Sequence, residues 1–256
     1  MARGCRGRCS HGARVTVALA ALALFAGAAL QSATGFGFAL VSAPILFALL
    51  GPREAVTAGV IVAILLNSLT LAGERRRPQV LVRDAVLLVA WSLPGIALGV
   101  LALREVPERP LTVVVAIAVL AALAQRVRNR RSAAAPRPRA WHVPAAGFTA
   151  GALGTSTSLN GPALVFCLLG RARSPGEMRD TLAAIFIAEA IVGVPALLLS
   201  GTFTQPRAIG VLLAAGLAGQ VLGRRAFGWL EGERYEWAVL GALAATALVA
   251  VVASLA

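Results

Sequence analysis

Lysine is absent from these 256 residues, and charge of either sign is scarce: 24 basic residues, all arginine, and 11 acidic ones make up 14% of the chain. Soluble domains devote about a quarter of their residues to charge, so that class is a poor fit. A hydrophobic content of 58% excludes disorder. Cysteine is nearly missing too. Cys5 and Cys9 lie near His11 in the N-terminal tail and Cys167 lies in an apolar run, a spacing that fits neither a disulfide framework nor a zinc knuckle. No metal site and no cofactor is expected. There is no Gly-Lys-Ser/Thr phosphate loop, which argues against a nucleotide-driven pump. The two histidines, His11 and His142, sit at the tail and at a helix entrance, so no nucleophile and base share one place as an intramembrane enzyme would need.

What the sequence has instead is long stretches without charge. They cover residues 15–52, 55–73, 85–103, 110–125, 140–170, 181–206 (interrupted only by Glu189), 208–223 and 237–256. A lipid-spanning helix needs about 20 mostly apolar residues, and eight such runs are too many for soluble core helices. The mean hydropathy of +0.80 agrees. Backbone polar groups in lipid must be satisfied within each segment, so the expected fold is all-α, a polytopic transmembrane bundle. Barrel strands of alternating polarity are not seen. The net charge of +13 is spread between the apolar runs and forms no stripe, so the expected partners are the lipid bilayer and no nucleic acid. Arg3, Arg6, Arg8 and Arg14 ahead of an apolar stretch mimic a signal peptide, but that stretch continues through Gly35 to Leu50, so a retained membrane element is expected.

Two runs are too long for one straight crossing, and each is interrupted by small and polar residues. The first reads Gln31-Ser32-Ala33-Thr34-Gly35-Phe36-Gly37; the second reads Gly151-Ala152-Leu153-Gly154-Thr155-Ser156-Thr157-Ser158-Leu159-Asn160-Gly161-Pro162. Gly weakens a helix by roughly 1 kcal/mol and Pro by about 3 relative to Ala, so each run is expected to be two short helices meeting at an unwound point. After each break comes a similar segment, beginning at Pro44 in one half and Pro162 in the other, and Gly95 and Gly99 have counterparts in Gly219 and Gly223. The chain reads as two related halves: a basic tail at 1–14, a first repeat at 15–125, a basic linker at 126–141 and a second repeat at 142–256. Together they give about 8–10 membrane segments. The Gly pairs are read as sites of close helix packing. The positive-inside rule places the linker and the loop with Arg75, Arg76, Arg77 and Arg83 in the cytoplasm. If the second long run crosses twice, the loops with Arg171, Arg173, Arg179 and with Arg224, Arg225, Arg234 fall on that side too. Two short passes in each half give an inverted repeat. They also put the basic N-terminal tail outside, against the rule; half-depth re-entrant hairpins are the other option.

A helix broken inside the bilayer offers N–H groups at the start of one half-helix and can hold an anion without a charged side chain. Ser32, Thr34, Thr155, Ser156, Thr157 and Ser158 can donate hydroxyl hydrogens, and Gln31 and Asn160 amide hydrogens. The competing reading is that the hydroxyls cap or back-bond to their own helices. Glu189 is the one carboxylate well inside a predicted span, a position that suggests a proton relay. Asn67 is read as packing glue in preference to a cavity residue.

The stretch Gln31-Ser32-Ala33-Thr34-Gly35-Phe36-Gly37-Phe38-Ala39-Leu40-Val41-Ser42-Ala43-Pro44, with the later Asn160-Gly161-Pro162 and Arg179-Asp180-Thr181-Leu182, resembles the TauE/SafE sulfite exporter family of integral membrane permeases. The resemblance runs from about residue 20 to 256. It implies duplicated transport repeats and movement of sulfite, sulfonates or other small sulfur-containing anions. Thr155-Ser156-Thr157-Ser158 departs from a Gly-rich version of the second motif. The expected function is thus an inner-membrane permease of bacteria, no enzyme, working by alternating access. Its site comprises Gln31, Ser32, Thr34, Gly35, Phe36, Gly37, Thr155, Ser156, Thr157, Ser158, Asn160, Gly161 and Pro162, with Glu189 for proton coupling. A non-transporting assembly or signalling subunit is the rival class. Homo-oligomerisation is left open.

Overall fold

The computed structural model describes residues 4–73, 77–131, 141–168, 171–172 and 174–227. The run at 237–256, the linker residues 132–140, Arg3, Arg75, Arg76, Arg173 and Arg234 lie outside the described residues. Among those described, nine helices and no strand are found: α1 (Gly4–Thr34), α2 (Phe38–Leu50), α3 (Pro52–Ala72), α4 (Val82–Glu105), α5 (Glu108–Arg131), α6 (His142–Thr157), α7 (Gly161–Leu168), α8 (Pro175–Leu199) and α9 (Ile209–Phe227). Four have the length and apolarity to cross a membrane: Arg14–Ser32, Pro52–Ala72, Val82–Glu105 and Gly176–Leu199. The eight uncharged runs are therefore not eight equivalent crossings, because the two longest are divided between paired helices.

Element boundaries shift from the sequence reading in a consistent direction. Residues 4–14, read as tail, already belong to α1, and α5 continues through Arg131 into the stretch read as linker. Both breaks are narrower than expected. Only Gly35-Phe36-Gly37 interrupts the first long run and only Ser158-Leu159-Asn160 the second. Residues 31–34 and 151–157 stay helical despite their Gly, Ser and Thr content, since close tertiary packing outweighs a propensity deficit of about 1 kcal/mol per Gly.

That packing is visible at the glycines. A Cβ on Gly95 or Gly99 of α4 would run into the Phe148 or Ala152 carbonyl oxygen of α6, and one on Gly147 or Gly151 would meet the Leu88 or Ser92 carbonyl of α4. On the other side of the molecule a Cβ on Gly219 or Gly223 of α9 would strike the Phe25 or Ala29 carbonyl of α1. In lipid, where neighbouring tails are as apolar as leucine, helices associate through such close backbone contact more than through a hydrophobic drive. Paired residue numbers rise together in both interfaces, so α4 lies parallel to α6 and α1 parallel to α9. Gly216 against Val62, Gln220 against Thr70 and Arg224 against Leu69 make α3 parallel to α9 as well.

Two straps fix the helix ends. The loop entering α4 donates Gln79 N–H to Asp180 Oδ2 (2.9 Å) and Leu81 N–H to Thr181 Oγ1 (3.0 Å), while the loop entering α9 donates Arg207 N–H to Glu54 Oε1 (2.7 Å) and Thr204 N–H to Thr57 Oγ1 (3.3 Å). Thus the start of α8 lies beside the start of α4, and the start of α3 beside the start of α9. Helices α1, α3 and α9 run one way, and α4, α6 and α8 the other. One end of the bundle carries Arg77, Arg83, Arg171, Arg179, Arg224 and Arg225 with Asp84, Glu177 and Asp180; the opposite end carries Arg14, Arg53, Arg104, Arg109 and Arg207 with Glu54, Glu105 and Glu108. Ser174 starts α8 by accepting the Glu177 N–H (3.1 Å), with Pro175 following as the first helical residue.

Apolar side chains fill the interior in two groups. Leu24, Leu46 and Leu66 belong to one around α1 to α3, and Leu88, Leu164 and Leu182 to another around α4 and α6 to α8. Outward-facing Leu22, Val86, Ile117, Ile191 and Leu198 are exposed, as a lipid-facing surface requires.

Candidate functional site

Both breaks turn the chain back on itself. Gly35 (φ 77°) and Gly37 (φ 109°) occupy the left-handed region at the first, a conformation that costs residues with a Cβ roughly 1–2 kcal/mol. At the second, Ser158 adopts φ 63° with its side chain in place, and its N–H still reaches the Gly154 carbonyl (3.0 Å). The two turns touch: a Cβ on Gly161 would lie 3.8 Å from the Phe36 Cβ.

Between them lies a cavity of about 80 Å³, several times the ~10–15 Å³ that admits one water. Its walls include Phe36 and Gly37 of the first break, Phe38, Ala39 and Leu40 at the start of α2, Ser158 and Asn160 of the second break, and Gly161 and Pro162 at the start of α7. The first N–H groups of a helix have no acceptor within that helix and carry the positive end of its dipole. Two such ends therefore border one hollow, although Pro162 contributes no N–H.

Side chains complete it from α3 and α8. Gln31 Nε2 donates to Asn67 Oδ1 (2.9 Å), and Asn67 Nδ2 donates to the Ala63 carbonyl (2.8 Å). On the facing wall Asn160 Nδ2 donates to Glu189 Oε2 (2.7 Å). Glu189 is 6% exposed; among the described residues it is the only ionisable one lining the cavity, and its Oε1 and the Ser158 hydroxyl have no hydrogen-bond partner. Among the described residues no three His, Cys, Asp or Glu side chains gather as a metal site would require.

Of the residues proposed from sequence, Gln31, Phe36, Gly37, Thr155, Ser158, Asn160, Gly161, Pro162 and Glu189 line this one space. The others stand apart. Ser32 donates to the Ala29 carbonyl (2.7 Å), Ser156 to Ala152 (2.6 Å) and Thr157 to Leu153 (2.7 Å), all within their own helices. Thr155, though at the wall, directs its hydroxyl to the Gly151 and Ile96 carbonyls (2.9 and 3.1 Å) and so ties α6 to α4. The hydroxyl cluster is thus turned largely onto the backbone. Thr34 ends α1; its side chain is outside the described set. Gly35 sits under Arg179, where a Cβ would lie 2.6 Å from the arginine Cγ, which brings the first motif and the Arg179-Asp180-Thr181-Leu182 stretch together.

Asn67 is the residue that sequence reasoning undervalued. A signal was present, since Asn67 lies nearly as far from the start of α3 as Glu189 does from the start of α8. What no one-dimensional reading supplies is that each is bonded to an amide from a broken element.

The family model described as Sulfite exporter TauE/SafE matches residues 19–250, nearly the whole chain. No curated protein and no solved structure matches.

Proposed function

The chain belongs to the TauE/SafE sulfite exporter family, a family of multi-pass membrane permeases for sulfite and related sulfur anions, and on that premise we propose that its central cavity is the anion-binding site of an alternating-access transporter. The carrying observation is that both breaks and the adjoining helix starts line one space that also holds a single buried carboxylate among the described residues. Helix N-termini at a discontinuity bind anions through backbone N–H groups in other secondary transporters. Gln31, Asn67 and Asn160 add amide donors. The cargo is sulfite or an organosulfonate, and Glu189 is the group through which protons couple to its movement. No catalytic step is involved.

Two inverted repeats, α1 to α4 with α5 and α6 to α9 with the residues that follow, are supported by the opposed helix directions and by the exchange of partners: the first helix of each half packs against the fourth of the other. Under the positive-inside rule the end where α4 and α8 start, and toward which α5 runs with Arg126, Arg128, Arg130 and Arg131 in its sequence, faces the cytoplasm, and a bacterial inner membrane fits that orientation. Alternation is rocking of one half against the other about the cavity.

The test is counterflow of labelled sulfite and sulfonates into vesicles carrying the full chain, with and without a proton gradient. Accumulation is expected, with Gln31→Ala and Asn160→Ala each reducing it severely while inserting normally. Absence of counterflow for every sulfur anion would leave the assembly-subunit alternative standing.

A further inference from the structure

The cavity carries many hydrogen-bond donors and a single carboxylate. The second amide hydrogens of Gln31, Asn67 and Asn160, the hydroxyl of Ser158 and the first-turn N–H groups of α2 and α7 can donate to an oxyanion's oxygens. Against them stands one carboxylate oxygen, Glu189 Oε1, buried and without a partner among the described residues, its sister Oε2 being held by Asn160. Ser92 on α4 lies within hydrogen-bonding reach of the Glu189 carboxylate and in this structure gives its hydroxyl hydrogen to the Val89 carbonyl (2.8 Å).

An anion entering this space would set two negatively charged oxygens against each other among largely apolar walls. Among the described residues no cationic side chain lines the cavity, while Arg179 packs on Gly35 beside the first break. The charged side chains of α3 lie in its first turn (Arg53, Glu54), those of α4 in its first and last turns (Arg83, Asp84, Arg104, Glu105). Those of α8 itself, Glu177, Arg179 and Asp180, lie near its start. His142 begins α6, and the Cys167 thiol of α7 does not reach the cavity. A proton between the two oxygens removes their direct repulsion.

We infer that the cavity binds an oxyanion together with one shared proton held against Glu189 Oε1, so that a hydrogen-bearing oxyanion supplies the proton itself and one without a hydrogen must collect it from water. This rests on the reading of the cavity as an anion site. The balance differs with the cargo. A monoprotonated oxyanion donates its O–H to the Glu189 carboxylate, and the complex holds only the proton that came with the ligand. For an alkylsulfonate, water gives a proton to Oε1, and the resulting carboxylic acid donates to a sulfonate oxygen. Whatever the protonation of the empty site, the second complex takes up one proton more than the first. Coupling is then a property of the cargo: sulfonates move with a proton drawn from solution, and hydrogen sulfite moves with its own.

The experiment is titration calorimetry of the full chain in lipid nanodiscs with hydrogen selenite and with methanesulfonate, at a mildly acidic pH where the first is monoprotonated. Each titration is repeated in buffers of different ionisation enthalpy to count protons. Methanesulfonate binding is expected to take up about one proton more than hydrogen selenite binding. In Glu189→Gln, whose amide is neutral throughout, the difference is expected to vanish and methanesulfonate affinity to become independent of pH. Equal proton uptake for both anions in the unmodified protein overturns the inference and leaves the anion site intact; that comparison needs no variant to fold. If neither anion binds, the anion-site reading and the inference fall together. Binding with the expected difference but no vesicle flux would sustain the inference and sink the transport reading.

Discussion

The two breaks perform one geometric task with different chemistry. At the first, Gly35 and Gly37 make the reversal without side chains, and the nearby polar pair, Gln31 and Asn67, is neutral. At the second, Ser158 takes a left-handed conformation with a Cβ in place, and its polar pair, Asn160 and Glu189, includes a carboxylate. The first half is built for close approach beneath Arg179. The second carries the ionisable group. Two similar scaffolds thus differ in charge, since two carboxylates facing each other across one cavity would repel.

Substitutions at matched positions break or sharpen that contrast. The largest effect is expected at the first turn. Gly35→Ala incurs roughly 1–2 kcal/mol from its left-handed backbone and a clash with the Arg179 stem, 2.6 Å from the new Cβ. A lowered thermal midpoint and lost anion flux are expected, eased by adding Arg179→Ala. At the second turn Ser158→Gly relieves the same backbone cost, so an unchanged or raised midpoint is expected; a loss as large as that of Gly35→Ala would erase the distinction.

Next come the amides. Asn160→Ala removes a hydrogen bond to a carboxylate, about 1.5–3 kcal/mol, whereas Gln31→Ala removes a neutral one, about 1 kcal/mol. Thermal unfolding in one detergent compares them directly, and equal losses would mean that the two pairs are energetically alike.

The packing glycines are expected to behave alike across the halves. Gly99→Ala meets the Ala152 carbonyl and Gly223→Ala the Ala29 carbonyl, each an overpacking of about 1–3 kcal/mol. A disparity in unfolding midpoint would show that one interface yields and the other does not. Smallest of all are Ser156→Ala and Thr157→Val, whose hydroxyls serve their own helix: about 1 kcal/mol or less, with counterflow unchanged. A collapse of flux in either would restore the hydroxyls as anion ligands.

Much of this was legible without coordinates. The scarcity of charge, the eight apolar runs and the small-residue interruptions announced a membrane bundle with two broken elements, and Gly35, Gly37 and Asn160 stood within those interruptions. The extent of the breaks was not legible. Residues 151–157 look unfavourable for a helix, yet their small side chains are what lets α6 lie against α4, and the contact keeps them helical. Nor was the destination of the hydroxyls, since a serine in an apolar run can face a cavity or its own backbone with equal local propriety.

The sequence by itself determined the solvent, the helical class and the places where a helix would be hard to continue, because hydropathy and backbone propensity act over a few neighbouring residues. Only the tertiary structure decided which residues meet: Phe36 against Gly161, Gly35 beneath Arg179, Asn160 beside Glu189. Those contacts join positions far apart in the chain, and their geometry depends on helix directions and backbone spacings that no local preference encodes.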